Sequence, residues 1–260
     1  MPDPTMHFLA LATDYDGTLA EDGKVRDEVI DALLRLRESG RKLVLVTGRE
    51  LDELMVVFPR IDVFDQVVAE NGALLYTPKP TPTERPLAEA PPPELAAALR
   101  ARGVAPLSCG RIILATWQPH EQVVLEVIRE QGLELEIIFN KGAVMILPSG
   151  VNKASGLAAA LAELGIALAN VVGVGDGEND HSLLAACGLG VAVANAVPAL
   201  KRRAHLVTTG ARGDGIIELC SHLVATDCAN VARDIPMEPL SAPSVTGSLR
   251  DAPASHASAK

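Results

Sequence analysis

Aromatic residues and basic clusters are scarce in this chain of 260 residues. Only 3% of the residues are aromatic, and the formal net charge is -10. Duplex nucleic acids are held by cations that neutralise phosphates, and single strands are held largely by aromatic stacking. We therefore expect no nucleic-acid partner.

Paired cysteines and long apolar runs are also missing. None of the four cysteines forms a Cys-x-x-Cys pair or stands at zinc-ligand spacing from a histidine, which is typical of free buried thiols in a reducing compartment. The start, MPDPTMHFLALATD, has no basic segment before its short apolar run, and no later stretch predicts a transmembrane helix. We expect a soluble, cytoplasmic protein without a membrane partner, and we make no prediction of its oligomeric state.

Short apolar runs are what the sequence has in abundance. Six of them are rich in Val and Leu without strict alternation, which predicts parallel strands buried on both faces: HFLALAT, KLVLVT, QVVA, NVVGVG, LGVAV and HLVTT. Helical patterns lie between them, such as the stripe of Val29, Ile30, Leu33 and Leu34 that precedes Gly40. This alternation predicts an α/β fold with an open, mainly parallel sheet.

The rhythm changes in the middle of the chain. The stretch TPKPTPTERPLAEAPPPE has too much proline for a helix or a central strand. It is followed by two helical patterns, the apolar run RIILATW, and LELEIIFNKGAVMILP, which predicts a hairpin. We predict a small α+β domain at 81–149, inserted into a core formed by 1–80 and 150–225. The Pro-, Ser- and Ala-rich end, 226–260, predicts a disordered tail.

Acidic residues follow two of the predicted strands. Asp14 and Asp16 come directly after the first strand, where residues two apart point the same way, and Gly17 permits a sharp turn. Asp176 and Asp180 lie in GDGEND after a later strand, in a loop of oxygen ligands that suits a hard cation. Either pair alone could instead be a solvated or helix-capping loop.

Two further strand ends carry groups that can hold an anion. The hydroxyl of Thr47 and the backbone N–H of Gly48 form a small cradle, although Thr47 could also cap a helix. Arg49, beside them, could contact substrate or simply be exposed. Lys153 begins a predicted helix, where the dipole disfavours a cation, which suggests an anionic partner, although a solvated lysine would explain this position equally well when it is taken alone.

These loops should meet, because the carboxyl ends of parallel strands share one edge of a sheet. Two like charges about 4 Å apart repel by roughly 4 kcal/mol at an effective dielectric of about 20, so four acids in one crevice need compensation. Mg²⁺ together with Lys153 would supply it.

The set DYDGT, VTGR, Lys153 and GDGEND, in this order, closely resembles the haloacid dehalogenase (HAD) superfamily of phosphatases over about residues 8–223. The insertion after AENGALLY looks like the C2-type cap of subfamily IIB, the Cof-like and sucrose-phosphatase-like branch. The resemblance implies a Rossmann-like core with a parallel sheet and a small inserted α+β cap.

The resemblance also implies roles for individual residues. Asp14 matches the nucleophile that forms an aspartyl-phosphate, and Asp16 matches the general acid and base. The phosphate-binding positions are Thr47, Gly48 and Lys153. The Mg²⁺ positions are Asp14, Asp16 (through its backbone carbonyl), Asp176 and Asp180, and Asn179 would orient Lys153 or a ligand.

Specificity would come from the cap. Candidate substrate contacts are Arg49, Glu70, Asn71, Asn140 and Lys141, although hinge or turn contacts explain the last four equally well, and Trp117 is expected in the cap core. The expected function is a Mg²⁺-dependent phosphatase that hydrolyses a small phosphorylated metabolite, a sugar phosphate by preference. The alternatives are a phosphomutase and a non-catalytic sensor of phosphorylated metabolites.

Overall fold

The computed structural model describes residues 6–229. Its strands are β1 (Ala10–Thr13), β2 (Lys42–Val46), β3 (Gln66–Ala69), β4 (Leu74–Thr77), β5 (Thr83–Pro86), β6 (Ser108–Cys109), β7 (Leu114–Trp117), β8 (Leu135–Asn140), β9 (Ala143–Pro148), β10 (Val171–Gly175), β11 (Leu189–Ala192) and β12 (Leu206–Val207). Its helices are α1 (Asp27–Glu38), α2 (Leu51–Val57), α3 (Pro93–Ala101), α4 (Glu121–Glu130), α5 (Lys153–Leu164), α6 (His181–Ala186), α7 (Pro198–Lys201) and α8 (Arg212–Thr226).

Eight strands form the larger sheet, in the order β12-β11-β10-β1-β2-β3-β4-β5. The first six strands of this order are parallel, and they are the six strands that the apolar runs predict. Every residue of β1, β3 and β10 is buried, as expected for strands covered on both faces. The α/β fold class is confirmed, and β1 lies at the centre, between β2 and β10.

The helices that cover this sheet form where the apolar stripes predict them. In α1, Val29, Ile30, Leu33 and Leu36 are buried, acidic residues occupy the first turn and arginines the last, and Gly40 follows with a φ of +95°. Helix α5 packs on β2, β3 and β4, and α6 packs on β10 and β11. These contacts fix where α5, and hence its first residue, begins relative to the end of β1.

The smaller sheet has four antiparallel strands in the order β6-β7-β9-β8. The predicted hairpin is present as β8 and β9, joined by Lys141 and Gly142. Helices α3 and α4 pack together, and their apolar residues form a separate core with Leu114 and Ile146 of the sheet. We call this unit, residues 93–148, the cap.

The bounds that the sequence suggests differ from the structure in two places. Strand β5 lies inside the range 81–149 but pairs with β4 at the edge of the larger sheet, where an exposed proline is tolerated. At the other end, Thr226 still belongs to α8, and the Asp227 carboxylate accepts hydrogen bonds from the His7 backbone (2.6 Å) and the Arg41 guanidinium (2.9 Å). The rest of the predicted tail, 230–260, lies outside the described residues. Among residues 6–229, no helix combines the length and apolar character that crossing a membrane requires.

Candidate active site

Three acidic side chains meet at the carboxyl end of the larger sheet. The N–H of Asp14 donates to the carbonyl of Val174 at 3.0 Å, which ties the end of β1 to the end of β10. Carboxylate oxygens of Asp14, Asp176 and Asp180 lie within 4.8 Å of one another, and all three residues are buried. The structure therefore brings together three of the four acids that the motifs select.

A buried ammonium group holds two of these acids. Lys153 is the first residue of α5, where the Asn152 side chain caps the helix by accepting from the N–H groups of Ala154 and Ser155 at 3.0 and 3.1 Å. Its Nζ lies 2.6 Å from Asp14 Oδ1 and 2.5 Å from Asp180 Oδ1, and the residue is only 1% exposed. The cation at this unfavourable helix end thus has the anionic partners that we expected.

The electrostatics of the cluster are strongly perturbed. Burial and then the negative charge of Asp180 raise the pKa of Asp14 to about 7, against the opposing effect of Lys153. Burial also raises the pKa of Asp176. Burial lowers the pKa of Lys153, but the charges of Asp14 and Asp180 outweigh it and raise the pKa above its ordinary value. Further positive charge at this site would therefore stabilise the ionised acids.

The side chain of the fourth acid, Asp16, pairs with an arginine instead of joining the cluster. Its carboxylate is held by Arg49, with Nε 2.6 Å from Oδ2 and Nη2 2.8 Å from Oδ1. Arg49 also pairs with Glu53, and its guanidinium carbon lies 5.6 Å from the centre of the Tyr15 ring. Within residues 6–229, the side chain of Asp16 does not belong to the acidic cluster. Its backbone carbonyl does lie near Asp176, because Lys141 Nζ contacts both of them.

Thr47 and Gly48 lie at the end of β2, next to β1. Thr47 is fully buried, and its hydroxyl accepts from the N–H of Arg49 at 3.1 Å, so it shapes the turn; the N-cap of the next helix is Glu50. A β-carbon at Gly48 would lie 3.4 Å from Met145 of the cap and 3.6 Å from Asn179. The turn of Thr47 and Gly48 therefore lies between the cap and the loop that carries Asp176, Asn179 and Asp180.

Some polar atoms of the buried amides near the cluster lack a hydrogen-bond partner. Asn179 Nδ2 donates to Asn71 Oδ1 at 2.9 Å, whereas the resemblance implies that Asn179 orients Lys153 or a ligand. Among the described residues, Asn71 Nδ2, Asn140 Oδ1 and Asn179 Oδ1 are buried and have no hydrogen-bond partner. Leaving such groups unsatisfied costs about 1–3 kcal/mol each, which favours a ligand or ordered water at this place.

Glu70 joins the cap to the core. Its buried carboxylate accepts from three successive backbone N–H groups of the cap, those of Arg111 (2.8 Å), Ile112 (2.7 Å) and Ile113 (2.9 Å). Arg111 in turn pairs with Asp52 and Glu84 of the core. Glu70 is thus engaged as a hinge contact, which was the alternative to a substrate contact.

Lys141 comes from the turn between β8 and β9 and reaches the core. Its Nζ lies 2.7 Å from Asp176 Oδ2 and 3.0 Å from the carbonyl oxygen of Asp16. Its backbone N–H donates to Glu178 at 3.1 Å. Of the residues predicted to give the cap its specificity, Lys141 is the one that contacts the acidic cluster directly.

Comparison with known proteins agrees with this arrangement. A family model for haloacid dehalogenase-like hydrolases matches residues 11–107 and 113–219. The chain belongs to this family. The prediction from the four motifs is therefore confirmed, and the matched ranges include every residue of the acidic cluster.

Curated relatives of this HAD-like hydrolase are named phosphoglycolate phosphatase. The protein from Methanothermobacter thermautotrophicus is 32% identical over 219 residues, which cover 80% of this chain and 96% of the relative. That from Pyrobaculum neutrophilum is also 32% identical, over 80% of this chain and 92% of its own. The chain is accordingly an enzyme, a phosphatase of the HAD family.

Solved structures show the same fold at lower sequence identity. A haloacid dehalogenase-like hydrolase from Bacteroides thetaiotaomicron superposes with a TM-score of 0.70, at 20% identity, over 83% of this chain and 99% of that one. A HAD subclass IIB sugar phosphatase gives a TM-score of 0.66, at 20% identity, over 83% and 98%. The fold is thus that of the subclass IIB structures.

A cavity of about 270 Å³ lies between the core and the cap of this HAD-like hydrolase. Gly48, Arg49 and Glu50 line it from the core, and Ser108 and Trp117 are among its cap residues. Trp117 is 53% exposed, so its expected place in the cap core is wrong. The run RIILATW gave no signal for this, because a tryptophan at the end of a strand can face either way.

The residues present fit a bound Mg²⁺. This ion takes oxygen ligands, and the site offers carboxylates of Asp14, Asp176 and Asp180, the backbone carbonyl of Asp16 and, close by, the buried unpartnered Oδ1 of Asn179. Both oxygens of Asp180 bond groups that are buried in the core, since Oδ1 accepts from Lys153 and Oδ2 accepts from the N–H groups of Asp176 (2.9 Å) and Gly177 (2.8 Å). Asp176 Oδ2 accepts instead from Lys141, whose side chain is 42% exposed. Asp14, Asp176 and the Asp16 carbonyl are the best candidates for direct ligands.

Proposed function

We propose that this chain is a Mg²⁺-dependent phosphatase that hydrolyses a small phosphorylated metabolite through an aspartyl-phosphate on Asp14, in the cytoplasm. The observation that supports it best is the buried cluster of Asp14, Asp176 and Asp180 around Lys153, at the end of the central strand. A nucleophilic carboxylate needs a fixed position and a compensated charge, and this arrangement offers both.

The proposed reaction has two displacements. In the first, a carboxylate oxygen of Asp14 forms a bond to phosphorus, the ester P–O bond breaks, and the leaving oxygen takes a proton from Asp16. In the second, Asp16 takes a proton from a water molecule, which attacks phosphorus and releases Asp14 and inorganic phosphate. Lys153, with Thr47 and Gly48, binds the phosphoryl oxygens. A bound Mg²⁺ would neutralise the acids and draw charge from the phosphoryl group.

The substrate that we place first is phosphoglycolate. The support comes from the curated relatives, which bear that name and match nearly their whole length.

A sugar phosphate, the class preferred from the sequence, is the second candidate. The observation in its favour is the cavity beside Arg49, which is larger than a two-carbon leaving group requires and is lined by the half-exposed Trp117 together with Ser108 and Glu50. An aromatic face with adjacent polar groups can bind a sugar ring.

The test is phosphate release from a panel of phosphorylated metabolites that includes phosphoglycolate and several sugar phosphates. We expect turnover with Mg²⁺, none with EDTA, and a loss of about 10³-fold or more in kcat for Asp14→Asn. Asp62→Asn, which changes an exposed acid paired with Lys79, is the matched control and should retain full activity.

The same panel separates the alternatives. Phosphoryl transfer between positions of one substrate without net release of phosphate would favour a phosphomutase. Binding of a metabolite without turnover, even with Mg²⁺, would favour a sensor and contradict the proposed phosphatase.

A further inference from the structure

A cation from the cap lies among the oxygen atoms that the proposed function gives to Mg²⁺. Lys141 Nζ is 2.7 Å from Asp176 Oδ2 and 3.0 Å from the Asp16 carbonyl. The backbone N–H of the same residue bonds Glu178, on the loop that carries Asp176. Lys141 and Gly142 form the turn between β8 and β9, which we call the cap turn. This turn therefore contacts the loop of Asp176 and Glu178 through both the backbone and the side chain of Lys141.

There is little room for a second cation at these oxygens. Asn195 Nδ2 donates to Asp176 Oδ2 (3.2 Å) and to the Gly17 carbonyl (2.8 Å), which closes one side. Gly17 has a φ of +83°, and a β-carbon there would collide with Asp176 Oδ2 and lie 2.8 Å from Lys141 Nζ. An ammonium group this close to two oxygens takes the volume of a divalent ion, and two cations sharing one ligand repel strongly.

The two lysines of the site differ in how easily they can leave it. Lys153 is buried in the first turn of α5 between Asp14 and Asp180. Lys141 is in a two-residue turn, its side chain is 42% exposed, and its contacts to the core can be lost without disturbing the pairing of β8 with β9. Lys141 is thus the cation that a metal ion can displace.

We propose that Lys141 and a divalent cation exclude each other at Asp176 Oδ2 and the Asp16 carbonyl, so that Lys141 sets the metal affinity and metal binding releases the cap turn. This inference rests on the proposed function, because it takes the metal site from it. The two effects are linked: if docked Lys141 weakens metal binding by some factor, bound metal weakens docking of the turn by the same factor.

The first experiment is calorimetric titration of the full chain with Mg²⁺ in the absence of substrate. Lys141→Met keeps the length of the side chain and removes the charge, so we expect Mg²⁺ to bind about tenfold more tightly than to the wild type, a factor within the usual range for coupled equilibria. Lys42→Met is the control, because Lys42 pairs with Asp65, outside the acidic cluster, and its variant should bind Mg²⁺ as the wild type does.

The second experiment follows the cap turn by hydrogen exchange. Adding Mg²⁺ to the wild type should speed exchange of the amides around Lys141, whose N–H is bonded to Glu178, and should change those of Lys141→Met much less. This readout needs only the wild-type protein, so it remains decisive if the variant folds poorly.

The outcomes separate this inference from the proposed function. Equal Mg²⁺ affinity in wild type and Lys141→Met, with no change in exchange at the turn, would overturn the exclusion and leave a Mg²⁺-dependent phosphatase intact. No Mg²⁺ binding to either protein would overturn both. A raised KM for substrate in Lys141→Met with unchanged metal affinity would make Lys141 a substrate contact instead.

Discussion

At the scale of single residues, Asp16 illustrates how a neighbour fixes what a carboxylate can reach. Arg49 holds both of its oxygens, is itself paired with Glu53, and lies over the Tyr15 ring. A planar guanidinium grips a carboxylate in one orientation, which a lysine cannot reproduce. In this arrangement Arg49 is a positioning residue for the proposed acid and base, and a direct substrate contact is the competing role.

Arg49→Lys distinguishes the two roles. The variant keeps the charge and loses the two-point grip, so we expect kcat to fall by about tenfold while KM changes little, as for an interaction that matters mainly in the transition state. Steady-state kinetics on the best substrate of the panel gives the measurement. Glu53→Gln, which removes the exposed partner of the same arginine, should leave both constants nearly unchanged. A rise in KM at constant kcat would instead identify a substrate contact.

At the scale of secondary-structure elements, one buried carboxylate contributes strongly to the contact between the cap and the core. Glu70 follows β3 directly and receives three consecutive N–H groups from the segment before β7. The backbone there is turned sharply, with positive φ at Glu70 and Asn71. A hinge built this way holds the cap in register with the core through hydrogen bonds rather than through a shared sheet.

Removing this carboxylate should weaken that joint. Glu70→Ala leaves three amides without their acceptor, and we expect it to destabilise the protein by about 3 kcal/mol. Urea denaturation measures the loss. Glu84→Ala is matched to it, since Glu84 pairs with the same cap arginine on the surface, where an ion pair contributes less than about 1 kcal/mol. Equal losses of stability in the two variants would show that the buried hydrogen bonds of Glu70 stabilise the protein no more than a surface ion pair does.

The elements also show how far sequence reasoning extends. The six parallel strands were predictable because their apolar runs are continuous, and the hairpin because Lys141 and Gly142 interrupt alternating residues. The expected burial on both faces was wrong for β12, which lies at the edge of the sheet and is not buried. Strands β4 and β5 were not predicted, because four residues in a glycine- and proline-rich context give no usable period. The grip of Arg49 on Asp16 and the reach of Lys141 into the core depend on rotamers and on the approach of the cap, which no local spacing encodes.

At the scale of the whole molecule, the site places several acidic groups close together and away from solvent, which lowers the stability of their ionised forms. Three buried carboxylates face two ammonium groups, one from the core and one from the cap. The cap and the core are therefore held together by the Lys141–Asp176 ion pair as well as by the Glu70 hydrogen bonds. The free energy of unfolding of the whole protein should consequently depend on the protonation of these carboxylates and on whether Mg²⁺ is bound to them.

For metal-free protein, the sign of this dependence follows from Asp14. Its pKa is raised from 3.8 to about 7 in the folded state, so between these values the folded chain keeps a proton that the unfolded chain has lost. The contribution of Asp14 is therefore most favourable below about pH 4 and is lost as pH rises towards 7, by at most about 1.4 kcal/mol per pH unit. Lys153 stays charged throughout this window and adds no slope.

Melting temperatures measured in EDTA at pH 5 and pH 7 provide the test. We expect the wild type to lose more stability between these two pH values than Asp14→Asn, because the variant has no proton to release. Asp62→Asn should keep the wild-type slope, since Lys79 lowers the pKa of Asp62 and moves its titration below the window. Mg²⁺ competes with protons for the carboxylates, so the stabilisation that it gives the wild type should be larger at pH 7 than at pH 5. Identical slopes for the wild type and Asp14→Asn would show that Asp14 is ionised in the folded metal-free protein, and that Lys153 and Lys141 already compensate the cluster.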